Sequence, residues 1–383
     1  MKMAPIRLPP RPKKFSGRSQ VVLVLFVSAV VVLTMYGAVF RQQLPDEVIP
    51  HASTTVETVG GASLVTPTPL LLSATMSPPI QSSRINGVIL FLAGGRWDAY
   101  FHKECLPRLE KYFLRCHEKE YPVHIFHENM ASAQQAAIAA LIPSARAVDF
   151  ENVAAVWKTL PRGVREDTLA EWMQTGLQRK FQGRGYRIMC RFWAGIVWRL
   201  PSLQRYDYYW RLDTDSILTG PPLVDPFVTM QQRQCDYGFN RLKGENPHVA
   251  VGLWETFQDW AKSTGSTNSQ WFQSVKRFAV SPVNQQYWAP MYYNNFELGS
   301  MRLKRHKLYD DWFEFVDSKE PFGIFRHRWG DAPLHTLGVM AVIAAEKWHV
   351  CNFSKTDVGY RHAATKPGPI VEISCNSTTA AGS

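Results

Sequence analysis

The run Tyr206-Asp207-Tyr208-Tyr209-Trp210-Arg211-Leu212-Asp213-Thr214-Asp215 constrains this chain more than any other stretch. An aromatic, β-prone segment ends abruptly in two carboxylates one residue apart. Residues i and i+2 of a strand share a face. At a strand end, Asp213 and Asp215 can therefore offer oxygens to one hard divalent cation such as Mg²⁺ or Mn²⁺. A cation held by one or two carboxylates and completed by phosphate oxygens is a common way to bind a nucleoside diphosphate. Acidic pairs also cap turns, so the pair needs support from the rest of the chain.

Several stretches around it read as an α/β domain. Val88-Ile89-Leu90-Phe91-Leu92-Ala93 is a continuous apolar run ending in Gly94-Gly95, as expected of a buried parallel strand followed by a tight turn. A helix is expected over about 98–115, a second strand at Val123–Phe126 and a second helix near 131–141. Strand–helix alternation places ligands at the carboxyl ends of the strands. The strand Tyr208–Leu212 delivers Asp213 and Asp215 to such a location. No internal repeat or second-domain boundary is evident, and a single globular domain is expected over 86–383.

The net charge of +11 invites a nucleic-acid reading, but its distribution opposes one. Seven basic residues, from Lys2 to Arg41, precede the first acid at Asp46, leaving only +4 for the remainder. Residues Val21–Phe40 carry no charge and are long enough for a bilayer core of about 30 Å. With basic residues before it, this stretch reads as a retained signal anchor: a cytosolic tail over 1–20, a transmembrane helix over 21–40, and the rest in the lumen. Residues 41–85, rich in Pro, Ser and Thr, read as an extended stem. The sequons Asn352-Phe353-Ser354 and Asn376-Ser377-Thr378 agree with a lumenal body. Six cysteines could form up to three disulfides there, with Cys190 a candidate buried free thiol. They show no zinc-type spacing.

Five further segments carry a resemblance. Gly185-Tyr186-Arg187-Ile188-Met189-Cys190-Arg191-Phe192-Trp193 precedes the aromatic strand. Downstream follow Leu253-Trp254-Glu255, Asn295-Phe296-Glu297, Arg328-Trp329-Gly330-Asp331-Ala332-Pro333-Leu334-His335 and Asp357-Val358-Gly359-Tyr360-Arg361-His362. In this order, over roughly 87–365, they resemble the fungal Golgi α-1,2-mannosyltransferases of glycosyltransferase family 15. The resemblance implies a GT-A-like nucleotide-sugar transferase domain with a mixed central sheet and GDP-mannose as donor. It also implies Mn²⁺ as cofactor, a mannose-terminated glycan as acceptor, and retention of anomeric configuration. A single-pass type II Golgi membrane protein acting in protein glycosylation, without a nucleic-acid partner, is the matching expectation.

The resemblance also implies roles for individual residues. Asp213 stands where the family usually has a Glu, and His362 matches its second metal ligand; Asp215 is an added candidate ligand. Glu297 matches a carboxylate near the sugar's anomeric carbon, acting as nucleophile or as a stabiliser of oxocarbenium-like charge. Tyr186 matches an active-site tyrosine beside the donor phosphate. Arg211 is either a phosphate clamp or a partner that holds the carboxylates in place. Asp331 and aromatics such as Trp329 and Trp288 are expected to orient the acceptor sugar, although Asp331 before Ala332-Pro333 also reads as a helix N-cap. Competing readings are a lumenal GT-A transferase using another sugar nucleotide, and a non-catalytic Golgi scaffold.

Overall fold

The computed structural model describes residues 85–94, 98–117, 120–174, 183–353, 358–362 and 370. All lie in one compact unit spanning 79–383. The expected anchor at 21–40, the stem, Asp357 and the Asn376 sequon fall outside the described residues. Among those described, no helix is long and apolar enough to cross a membrane.

A seven-stranded mixed sheet forms the centre. Its members are β1 (Gly87–Ala93), β2 (Val123–His127), β3 (Val148–Asn152), β4 (Tyr208–Leu212), β6 (Cys235–Phe239), β9 (Phe296–Ser300) and β10 (His349–Asn352). Their order is β10-β6-β9-β4-β1-β2-β3. Strands β4, β1, β2 and β3 run parallel, whereas β9 is antiparallel to both β4 and β6. The short strands β5 (Ser216–Leu218) and β11 (Tyr360–His362) form an antiparallel pair, as do β7 (Leu242–Gly244) and β8 (Pro290–Tyr292).

The apolar run of β1 is buried on both faces, with Ile89 and Phe91 in one core and Val88 and Leu90 in another. The same alternation governs β4. Trp210 and Leu212 join the first core; Tyr209 joins the second, with Arg211 on its face. That second face is unusual for a core because β9 presents Glu297 there, directly opposite Arg211 in register. The helix Arg184–Ala194 and the largely buried helix Asp331–Glu346 pack over it.

The helix expected over 98–115 is broken into a short α segment, a π turn at Phe101–Cys105, an α-helix at Leu106–Tyr112 and a 3₁₀ turn at Leu114–His117. Pro107, at the start of the α-helix, has no N–H for the preceding turn, which explains an interruption there. Cys235 and Cys351 are joined across β6 and β10. Cys105 and Cys190 are buried free thiols.

Candidate active site

Strand β4 ends at Leu212, and a tight turn carries the chain through Asp213–Asp215 into β5. The Ser216 hydroxyl accepts the Asp213 N–H at 3.0 Å, and the Ser216 N–H donates back to the Asp213 carbonyl at 2.9 Å. Strand β11 pairs with β5 so that His362 lies opposite Ser216. This register places His362 Nε2 3.0 Å from Asp215 Oδ2. One ligand atom from each of Asp213, Asp215 and His362 then lies within 4.8 Å of the other two. Two carboxylates and an imidazole are a donor set suited to a borderline divalent ion such as Mn²⁺.

Neighbouring groups hold this set in place. The Asn295 amide donates to Asp213 Oδ2 at 2.6 Å, and Arg211 Nη2 reaches Oδ1 at 3.5 Å. The hydroxyls of Ser216 and Tyr360 both donate to the Asn295 carbonyl, tying the turn, β11 and the approach to β9 at one point. Such outer contacts orient ligands and tune them. Burial pushes the Asp213 carboxyl up to about 6; Arg211 opposes this, while Asp331 and Asp215 add to it. Its side chain is 31% exposed, so water moderates the effect. The hydrogen bond to Asp215 raises the His362 imidazole above its ordinary value. An apo site that favours protons on its ligands is also one whose proton a cation can replace.

Beneath the turn lies a buried charge network. Arg211 Nη1 donates to Asp331 Oδ2 at 2.6 Å and lies 3.6 Å from Glu297. Its guanidinium stacks over Trp193 at 4.2 Å. Glu297 Oε1 accepts from the Tyr209 hydroxyl at 2.7 Å and meets Lys304 Nζ at 3.0 Å and His335 Nδ1 at 3.3 Å. Three neighbouring cationic or donor groups hold the Glu297 carboxyl well below the usual range despite its burial. Burial lowers Lys304 to about 8 against the attraction of Glu297. Asn294 donates to Asp331 Oδ2 at 2.7 Å, completing the link from Asp331 through Arg211 to Asp213.

The remaining expected site residues lie at different depths around this network. Glu297, expected near the sugar's anomeric carbon, is 0% exposed and lies beneath the site in contact with Lys304, His335, Tyr209 and Arg211. Arg211 is 2% exposed, and its guanidinium contacts the Asp331 and Asp213 carboxylates, the geometry of a partner that holds carboxylates in place. Trp329 is 1% exposed, packs in the core and donates its indole N–H to the Val251 carbonyl at 2.8 Å. Asp331 is the first residue of its helix, with Gly330 at the cap position, and its carboxylate turns to Arg211 and Asn294. Tyr186 remains partly exposed at the start of the helix Arg184–Ala194, under the Arg328 guanidinium at 4.3 Å. Burial, with Cys190 and Asp331 nearby, raises its phenol far above the ordinary value, so it acts only as a protonated group.

Sequence reasoning gave no roles to Lys304, His335, Asn294 and Asn295. The two asparagines directly precede Phe296-Glu297, and that adjacency was the available signal; their pairing with two acids comes from the fold. Lys304 carried none, because only the fold turns it back under β9.

Residues 68–381 match the model of the family described as glycolipid 2-alpha-mannosyltransferase. Glycolipid 2-alpha-mannosyltransferase 1 of Candida albicans is 32% identical over 185 residues, which are 48% of this chain and 41% of that protein. The glycolipid 2-alpha-mannosyltransferase of Saccharomyces cerevisiae is 30% identical over 199 residues, 52% of this chain and 42% of that protein. The matches thus span less than half the length of these relatives. Core-mannan synthase A of Aspergillus fumigatus, solved in a Mn/GDP form, shares the fold with a TM-score of 0.63 at 22% identity, covering 78% of this chain and 83% of that one. The mannosyltransferase Ktr4p of S. cerevisiae, in complex with GDP, gives 0.61 at 22% identity over 73% and 71% of the two chains. The GT-A-like mixed sheet, the ordered segments around it and the match over most of its length make this chain a member of the glycolipid 2-alpha-mannosyltransferase family, glycosyltransferase family 15.

Proposed function

We propose that this chain transfers mannose from GDP-mannose to the 2-hydroxyl of a terminal mannose on a glycoprotein glycan, with retention of configuration. The observation that carries the proposal is the convergence of Asp213, Asp215 and His362 within 4.8 Å at the carboxyl end of β4. These three residues would hold Mn²⁺, which when bound neutralises charge on a diphosphate leaving group. Family membership and the Mn/GDP form of the Aspergillus protein support that choice of ion and nucleotide.

The chain's own residues do the positioning. Asn295 and Arg211 fix the Asp213 carboxylate, and the Arg211–Asp331 pair forms the rigid floor. Tyr186, held protonated, can donate a hydrogen bond to a departing phosphate, with the Arg328 charge over its ring. With Glu297 sealed, a covalent glycosyl-enzyme through it would require breaking its contacts to Lys304 and His335. A same-face displacement needs no such opening. The acceptor oxygen bonds to the anomeric carbon, the bond from that carbon to phosphate breaks, and the hydroxyl proton passes to the departing phosphate oxygen.

The same proposal includes a type II Golgi arrangement: tail 1–20, anchor 21–40, stem 41–85 and lumenal domain 86–383. It rests on the uncharged stretch Val21–Phe40 and the basic residues before it. A panel of sugar nucleotides tests the reaction. Metal-dependent transfer from GDP-mannose, giving an α-1,2-linked product, is expected. Turnover only with a UDP-sugar would sink the donor assignment, and GDP binding without turnover on any mannoside would point to a scaffold.

A further inference from the structure

One groove has no part in the reaction as described. Residues from the stretches 247–255 and 285–289 line an open groove of about 430 Å³. That is within the range of small-ligand sites, roughly 300–1,000 Å³. Trp254, Tyr287 and Trp288 supply its aromatic surface, and the Trp254 and Tyr287 rings stack at 5.7 Å. Glu255, Gln285 and Gln286 stand exposed on its lining. Aromatic faces match the C–H face of a pyranose, while one carboxylate and two amides match its hydroxyls. This chemistry suits an uncharged polyhydroxyl ring better than a peptide.

Two features mark the groove as more than a surface dent. The Tyr287 hydroxyl oxygen is shielded from water and has no hydrogen-bond partner. Buried polar atoms are rarely left so, and the exceptions call for an unseen partner or a role. Gln285 (φ 55°) and Ala289 (φ 50°) hold left-handed backbone conformations in the same wall. Strain of this kind collects at ligand sites.

The groove is also wired to the proposed reaction centre. Val251, on its lining, accepts the Trp329 indole N–H, two residues before Asp331. Ala289 leads directly into β8, which continues to Asn294 and Asn295, the partners of Asp331 and Asp213.

We infer that this groove binds the penultimate hexose of the acceptor glycan, beside the terminal residue that receives mannose. The inference rests on the proposed mannosyl transfer. The test uses the full chain in detergent with Mn²⁺ and GDP-mannose, comparing methyl α-mannoside with α-1,2-mannobiose. Mannobiose should show a KM lower by about tenfold, as expected when a site's polar groups find their hydroxyl partners. Gln286→Ala and Glu255→Gln should remove most of that advantage, leaving kcat and KM for methyl α-mannoside unchanged. Equal KM values for the two acceptors, or variants that weaken both alike, would overturn the inference. Tryptophan fluorescence titrated with mannobiose, without donor, separates the two readings. Saturable binding lost in both variants, with no transfer to either acceptor, would sink the transfer reading and retain the groove as a glycan site. Transfer to both acceptors with no such binding would do the reverse.

Discussion

Glu297 and Lys304 allow a sharp test of whether this carboxylate reacts or anchors. Their charged atoms lie 3.0 Å apart and both side chains are 0% exposed. Removing one member of a buried ion pair typically costs about 3–5 kcal/mol. In Glu297→Gln the cost is limited, because Lys304 already sits near 8 and loses its chief attraction. It can then shed its proton close to neutrality, at about 1.4 kcal/mol per unit of pKa. The expected loss is therefore at the lower end, about 3 kcal/mol. For a unit of about 300 residues that lowers Tm by about 5 °C. Adding Lys304→Met removes the stranded amine and should return most of the lost stability, with a coupling of about 2 kcal/mol. Thermal unfolding of the four proteins of the cycle measures it, alongside initial rates of mannose transfer. The double variant should regain part of the transfer lost in Glu297→Gln. An unchanged Tm in Glu297→Gln, with transfer abolished equally in single and double variants, would refute the anchoring role and restore the nucleophile.

Other perturbations reach the same network from different sides. Asn295→Ala removes the amide on Asp213 and should weaken Mn²⁺ binding by about 10–100-fold, read by electron paramagnetic resonance. The Asp213 carboxyl, raised to about 6, must lose its proton to bind a cation. For this one proton, Mn²⁺ affinity should therefore fall about tenfold per unit as pH drops below about 6. The elevated His362 imidazole steepens the fall, whereas a pH-independent affinity from 7 to 5 would exclude both as ligands. A Cβ on Gly299 would lie 2.5 Å from the Tyr209 hydroxyl that bonds Glu297. Gly299→Ala should cost about 1–3 kcal/mol in denaturant unfolding.

Much of the architecture was legible because local pattern and environment agree. The apolar run of β1 and the aromatic run of β4 are strands at the positions expected, and β4 ends where its carboxylates begin. The break in the helix after Asp98 was less visible, since Pro107 is compatible with the first turn of a helix and only the packing shows what precedes it. The union of Asp213, Asp215 and His362 depends on pairing between β5 and β11, about 145 residues apart, which no local signal announces. The burial of Trp329 and Glu297 was hidden for a shared reason. An aromatic or acidic residue beside a motif has the same letters whether it faces a ligand or the core, and burial alone separates the two.

The most direct test follows the initial rate of mannose transfer from GDP-mannose as Mn²⁺ is titrated, for the natural chain and His362→Ala. Transfer should vanish with chelator and rise to saturation with Mn²⁺. In His362→Ala half-saturation should move upward by about tenfold or more, as for loss of a metal contact. Transfer that persists in chelator, or an identical Mn²⁺ dependence in the two proteins, would contradict a metal centre built from Asp213, Asp215 and His362.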